Sequence, residues 1–152
     1  MLFPRLRDRG LPPEEITIAD LLSGAGCATI TVGKWHLGHT PDFLPTNHGF
    51  DTYYGVPYSN DMDVDPQMAV ADGVKIREGM TLERMRDPDE RVRDWVPLMR
   101  DELVIEYPVD QSTLTKRYTD EAIRFIEENQ DDPFFVYLAH TFPHVPLVTV
   151  HG

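Results

Sequence analysis

Residues 27–38 read Cys-Ala-Thr-Ile-Thr-Val-Gly-Lys-Trp-His-Leu-Gly. The first half of this stretch decides the fold class. Residues 27–32 are small and β-branched, which suits a buried strand, and Gly33 ends it. Upstream, Thr17 can cap a short helix through Ser23. Ile18, Leu21 and Leu22 then share one face, and Gly24 and Gly26 act as stop signals.

The same order recurs downstream. Ser112 or Thr113 opens the clearest helix, in which Leu114, Tyr118, Ala122, Phe125 and Ile126 repeat at helical spacing. It runs to about Asn129, and Asp131, Asp132 and Pro133 break it. Residues 134–139 read as a fully buried strand, with Pro143 and Pro146 fixing the loop behind it. Helix–strand–loop, a long excursion, then helix–strand–loop predicts an α/β layered sheet with flanking helices. If the two strands are parallel, the loops after Val32 and Ala139 open onto one edge, where open α/β sheets bind ligands.

Between these units, residues 38–68 are rich in Pro, Gly, Asn, Asp and Tyr. They predict a long, ordered, functional loop anchored by Phe43, Phe50, Tyr53, Tyr54 and Tyr58. Residues 62–108 read as a surface excursion, with short strands at 74–76 and 103–106. Residues 1–14 lack periodicity and read as a poorly ordered end. The whole chain, 1–152, is expected to be part of a single domain.

Composition narrows the function. The 14 Lys and Arg face 26 Asp and Glu, a net charge of −12. That argues against a nucleic-acid partner, which needs a basic face, yet leaves room for a local basic pocket. An apolar content of 41% is too high for a disordered acidic tail. No apolar run approaches the roughly 18–20 residues of a membrane span, and residues 1–9 lack the apolar stretch of a signal peptide. The single cysteine, Cys27, excludes an intrachain disulfide and a multi-cysteine metal cluster. Thirteen prolines, well above the roughly 5% norm, predict long, shaped loops.

Three clusters carry chemistry. In an extended segment Lys34 and His36 share a face and Trp35 takes the other. An ammonium beside an imidazole suits an anion that must be held and must exchange a proton. A strand end with a solvated lysine and a capping histidine is the simpler reading of the spacing alone. In His140-Thr-Phe-Pro-His144-Val-Pro146 the prolines forbid the helix on which two histidines four apart would bind zinc. A loop histidine serving a cleft as acid or base and an ordinary loop both fit. Tyr58-Ser59-Asn60-Asp61 offers a hydroxyl, an amide and a carboxylate; a local turn is the simpler reading, an oxyanion site the sharper one. His48 reads as a turn histidine, Cys27 as a buried inert thiol, and the methionines as filler.

Taken in order, several segments resemble the middle of a type I sulfatase, near the arylsulfatase A branch of the alkaline phosphatase-like superfamily. They are Thr17-Ile-Ala-Asp-Leu-Leu, Thr31-Val-Gly-Lys-Trp-His-Leu-Gly, Asn47-His-Gly-Phe-Asp and Tyr53-Tyr-Gly-Val-Pro-Tyr-Ser-Asn-Asp. Thr115-Lys-Arg-Tyr-Thr-Asp-Glu-Ala-Ile, Pro133-Phe-Phe-Val-Tyr-Leu-Ala and Pro143-His-Val-Pro-Leu close the series. The resemblance implies a partial sulfatase sheet with flanking helices, lacking N- and C-terminal parts of the domain. It implies a sulfuric ester hydrolase in which a formylglycine attacks the sulfur and Ca2+ polarises the sulfate oxygens.

By the same resemblance, Lys34 holds hydrate and sulfate, His36 takes the proton that lets the aldehyde re-form, His144 assists the departing alcohol, and Ser59 hydrogen-bonds in the sulfate pocket. The implied substrate is a small sulfate ester or a sulfated glycan, and the implied parent is often exported. The Cys/Ser-x-Pro-x-Arg motif that yields formylglycine is absent, and Cys27 is followed by Ala-Thr-Ile. The acidic calcium ligands and a second active-site lysine are absent too, so no metal ligand is assigned in this chain. The expectation is an internal fragment, inactive alone. A phosphate or phosphonate hydrolase of the same superfamily, and a non-catalytic anion-binding module keeping Lys34, Ser59 and His144, are the alternatives.

Overall fold

A computed structural model describes residues 9–62, 64–87, 89 and 95–144. Pro146 and the start of the expected disordered end lie outside these residues. The elements in chain order are α1 (Ile18–Gly24), β1 (Ala28–Lys34), β2 (Thr52–Val56), β3 (Val70–Ile76), α2 (Leu82–Arg86), β4 (Leu98–Arg100), β5 (Leu103–Tyr107), α3 (Leu114–Glu128) and β6 (Phe134–Ala139). Short 3-10 turns at Pro41–Phe43, Pro45–Asn47 and Gln111–Thr113 shape the connections.

The six strands form one sheet in the order β3-β5-β4-β2-β1-β6. β1 pairs in parallel with both β2 and β6, so Gly33 sits between Gly55 and Ala139. β4 is antiparallel to β2 and to β5, while β3 runs parallel to β5. The sheet is mixed α/β, and its central strands are covered on both faces. Ile30, Val32 and Tyr54 meet Leu114, Tyr118 and Phe125 of α3 on one face. Ala19 of α1, Trp35, Phe50, Tyr53, Met85 and Met99 fill the other. The alternation of Tyr53 and Tyr54 between these faces follows from the period of two along a strand.

Several expectations are corrected. Thr52–Val56 is a central strand, not part of an irregular loop. Tyr53, Tyr54 and Val56 give it a strand's aromatic and β-branched character, but the Pro, Gly and Asp residues around it mask that signal. Residues 62–108 supply β3, β4 and β5 to the main sheet rather than standing off it. β6 is not fully buried: among the described strands it pairs only with β1, and Phe134, Tyr137 and Leu138 are 39–47% exposed. An apolar run identifies a strand without showing whether anything covers it.

α1 begins as expected, with a capping box between Thr17 and Asp20. Its apolar face does not turn inward, however. Ile18 and Leu21 are exposed, and Ala19 is the buried residue. The cause is a close approach: a Cβ on Gly49 would lie 2.1 Å from the Asp20 nitrogen, and only the small side of the helix fits against that turn. On α3, Leu114, Tyr118, Ala122 and Phe125 are buried as expected, while Ile126 is exposed. Among the described residues no helix is long and apolar enough to cross a membrane.

Candidate active site

Because β1, β2 and β6 are parallel, the loops that leave Lys34, Val56 and Ala139 all open at one edge of the sheet. Lys34 ends β1, half-buried. Trp35 is buried, donates from Nε1 to the Phe43 carbonyl at 2.7 Å, and packs on Phe50 and His48. The Trp35 and His36 amides donate to the carbonyls of Val56 and Pro57 at 3.1 and 3.0 Å. The first loop therefore stays zipped to the exit of β2 for two residues beyond the strand.

The extended alternation expected for Lys34 and His36 stops at His36, whose φ is +65°. That left-handed turn leaves His36 exposed, yet its ring stays within electrostatic reach of the cluster. Partial desolvation of the ring lowers its proton affinity, Lys34 and His144 lower it further, and Asp61 opposes them. His36 therefore gives up a proton more readily than an ordinary imidazole.

Ser59 is buried, and its Oγ lies 3.2 Å from His144 Nε2. The expected turn is present as well, the Met62 amide donating to the Ser59 carbonyl. The Asn60 carbonyl accepts from Gln111 Nε2 at 2.8 Å, which ties this loop to the turn before α3. Asn60 is fully buried, and among the described residues neither its side-chain oxygen nor its nitrogen has a hydrogen-bond partner. Behind His144, Thr141 Oγ1 donates to the Tyr118 hydroxyl at 3.1 Å and anchors the third loop to α3. Lys34, His36, Ser59 and His144 are therefore gathered from three loops; His140 instead lies against the Tyr118 ring.

The sulfatase family model matches residues 3–150, nearly the whole chain. The chain belongs to the sulfatase family. Among relatives of this sulfatase chain, arylsulfatase G of Rattus norvegicus is 37% identical over 152 residues, covering 91% of this chain and 27% of its own. N-acetylgalactosamine-6-sulfatase of Sus scrofa is 36% identical over 142 residues, covering 91% and 24%. A crystal structure of Ps i-CgsB in complex with k-i-k-neocarrahexaose superposes with a TM-score of 0.65 at 27% identity, over 90% of this chain and 28% of that one. The sulfatase chain spans about a quarter of the length of these relatives.

The described residues do not fit the calcium ion that the resemblance implies. No group of three or more His, Cys, Asp or Glu side chains is gathered that could hold a metal, whereas calcium takes about six to eight oxygen ligands. Cys27 is half-buried and precedes β1, at the opposite end of that strand from Lys34.

Two features escaped sequence reading. His48 is buried, its ring packed on Trp35 and within reach of the Asp42 backbone, where burial outweighs that contact and lowers its proton affinity. His39 and Asp65 form a buried pair, Nε2 to Oδ2 at 2.8 Å. They lie 26 residues apart in two irregular loops, so no local spacing announces them.

Proposed function

We propose that this chain supplies the anion-gripping half of a sulfatase centre whose complete form hydrolyses sulfate esters, including those of sulfated glycans. The observation that carries it is the Ser59–His144 contact across 85 residues, with His36 in electrostatic reach of both Lys34 and His144. Such a set matches the needs of a tetrahedral anion: a fixed ammonium, a hydroxyl and two imidazoles. The relatives named for arylsulfatase and N-acetylgalactosamine-6-sulfatase activity support the choice of sulfate.

In this reading Lys34 holds the sulfate oxygens by charge, and the Ser59 hydroxyl donates to one of them. His144, in contact with Ser59, gives a proton to the ester's bridging oxygen as the alcohol departs. His36, beside Lys34 and His144, is the neutral imidazole available to the site as a base. A formylglycine would supply the attacking hydrate, and these residues do not provide it: Cys27 is roughly 23 Å along β1 from Lys34. The 152-residue chain on its own therefore binds the anion without turning over the ester.

The experiment pairs binding with turnover. Sulfate added to chain labelled at histidine should shift the ring signals of His36 and His144 in NMR spectra, and Lys34→Ala should abolish the shift. Aryl sulfate incubated with the same chain and calcium should remain intact. Unmoved histidine signals refute the anion site; sustained hydrolysis refutes the inactivity of the chain.

A further inference from the structure

The strongest structural feature outside the Lys34–His144 cluster is the His39–Asp65 pair. His39 is 6% and Asp65 3% exposed, and their side chains meet at 2.8 Å. An ionised carboxylate can only accept, so the proton of this bond sits on His39 Nε2. Each partner belongs to a loop that carries site residues. His39 lies three residues after His36, and Asp65 lies six after Ser59.

The contacts around the pair reach back to the site. The Asp65 amide donates to the Tyr58 hydroxyl at 3.1 Å, and the His39 ring meets the Tyr58 ring edge-on at 5.5 Å. Tyr58 is buried and directly precedes Ser59. Asp65 Oδ1 also accepts from the Gln67 amide at 2.9 Å, which fixes the carboxylate in its own loop. His36, His39 and Tyr58 line one small cleft. A buried histidine–carboxylate pair is a costly way to fill space, and apolar residues of similar volume would stabilise the loops as well or better. Its directional bond, in contrast, fixes the relative position of two backbones.

We infer that His39 and Asp65 are positioning residues, a latch that holds the His36 turn in register with the Tyr58–Ser59 loop so that both face one anion. The inference rests on the proposed reading of Lys34, Ser59 and His144 as an anion site.

The test uses the 152-residue chain with Asp65→Ala, Asp65→Asn and His39→Phe. It follows the ring signals of His36 and His144, sulfate affinity and the melting temperature. The latch predicts displaced His36 and His144 signals and roughly tenfold weaker sulfate binding in Asp65→Ala and His39→Phe. Asp65→Asn keeps an acceptor oxygen and should restore most of both; His39→Phe serves as the readout if Asp65→Ala does not fold. A lower melting temperature with unchanged signals and affinity shows a merely structural pair and overturns the latch. If the unsubstituted chain takes up no sulfate while the substitutions still displace the two histidine signals, the anion-site reading fails and the latch stands.

Discussion

Ser59 Oγ and His144 Nε2 lie 3.2 Å apart at the common exit of β2 and β6, two strands that never touch because β1 runs between them. The contact therefore depends on β1 holding its neighbours in parallel register. If Ser59 is a donor to the bound anion, Ser59→Ala removes one hydrogen bond of about 1 kcal/mol, a fivefold to tenfold loss of sulfate affinity. The deleted oxygen leaves little volume, so the melting temperature should hold. Titration calorimetry with sulfate checks this; unchanged affinity removes Ser59 from the site.

The lowered proton affinity of His36 gives sulfate binding a pH dependence of definite sign. Free His36 holds its proton less firmly than an ordinary imidazole, because desolvation, then Lys34 and His144, disfavour the imidazolium. A bound dianion opposes that repulsion and raises the affinity for the proton, so sulfate and a proton are taken up together. Sulfate should bind more tightly at pH 5 than at pH 7.5, and His36→Gln should flatten the dependence. Calorimetry at the two pH values decides between a slope and none.

Gly33 is the residue on which the edge turns. Its φ is +116°, and a Cβ there would lie 1.8 Å from the Ala139 carbonyl oxygen; a Cβ on Gly55 would lie 1.8 Å from the Gly33 carbonyl oxygen. Both clashes are with backbone, so no side-chain rotation relieves them. Gly33→Ala should cost about 3 kcal/mol or more and separate Lys34 from the His144 loop. Denaturant unfolding measures the loss; a penalty below about 1 kcal/mol contradicts the close register.

These relationships show which parts of the structure were legible in the sequence. The capping pattern at Thr17, the apolar stripe of α3 and the β-branched run of β1 are local signals, and each element is present, though β1 runs on through Gly33 to Lys34 where Gly33 alone reads as its end. β2 was lost because Thr52–Val56 sits among turn-forming residues, although its parallel pairing to β1 makes the site edge. The short motifs that carry Lys34, His36, Ser59 and His144 are visible locally, but that they meet at one edge follows from the parallel order of β2, β1 and β6. His39–Asp65 and the bidentate Arg100–Glu121 pair were not legible, since long-range partners leave no periodic trace.

That Arg100–Glu121 pair ties β4 to α3 and predicts an acid limb in stability. Burial raises the Glu121 proton affinity, but hydrogen bonds from Arg100 and Arg124 outweigh it and hold the carboxyl at about 2, against 4.5 unperturbed. The unfolded chain binds the proton more readily, so this contribution is complete above pH 4.5 and is lost as pH falls toward 2. Both arginines are partly solvated, which limits the effect of Glu121→Gln to about 1–2 kcal/mol at neutral pH. Denaturant melts between pH 7 and 3 should show a shallower decline for the variant; parallel curves would remove Glu121 as the cause.

At the opposite boundary of the sheet, β6 pairs with β1 alone among the described strands and turns its other side outward. Phe134, Tyr137 and Leu138 stand partly exposed along it. An apolar strand with an unpaired flank is a template for another strand, and a lysine on the edge is the usual protection. The isolated chain should self-associate through β6, and Leu138→Lys should shift it toward monomer. The side chain is 40% exposed, so its replacement should change stability by only about 0.5 kcal/mol. Sedimentation velocity across a concentration series distinguishes the two chains; identical association places the contact elsewhere on the surface.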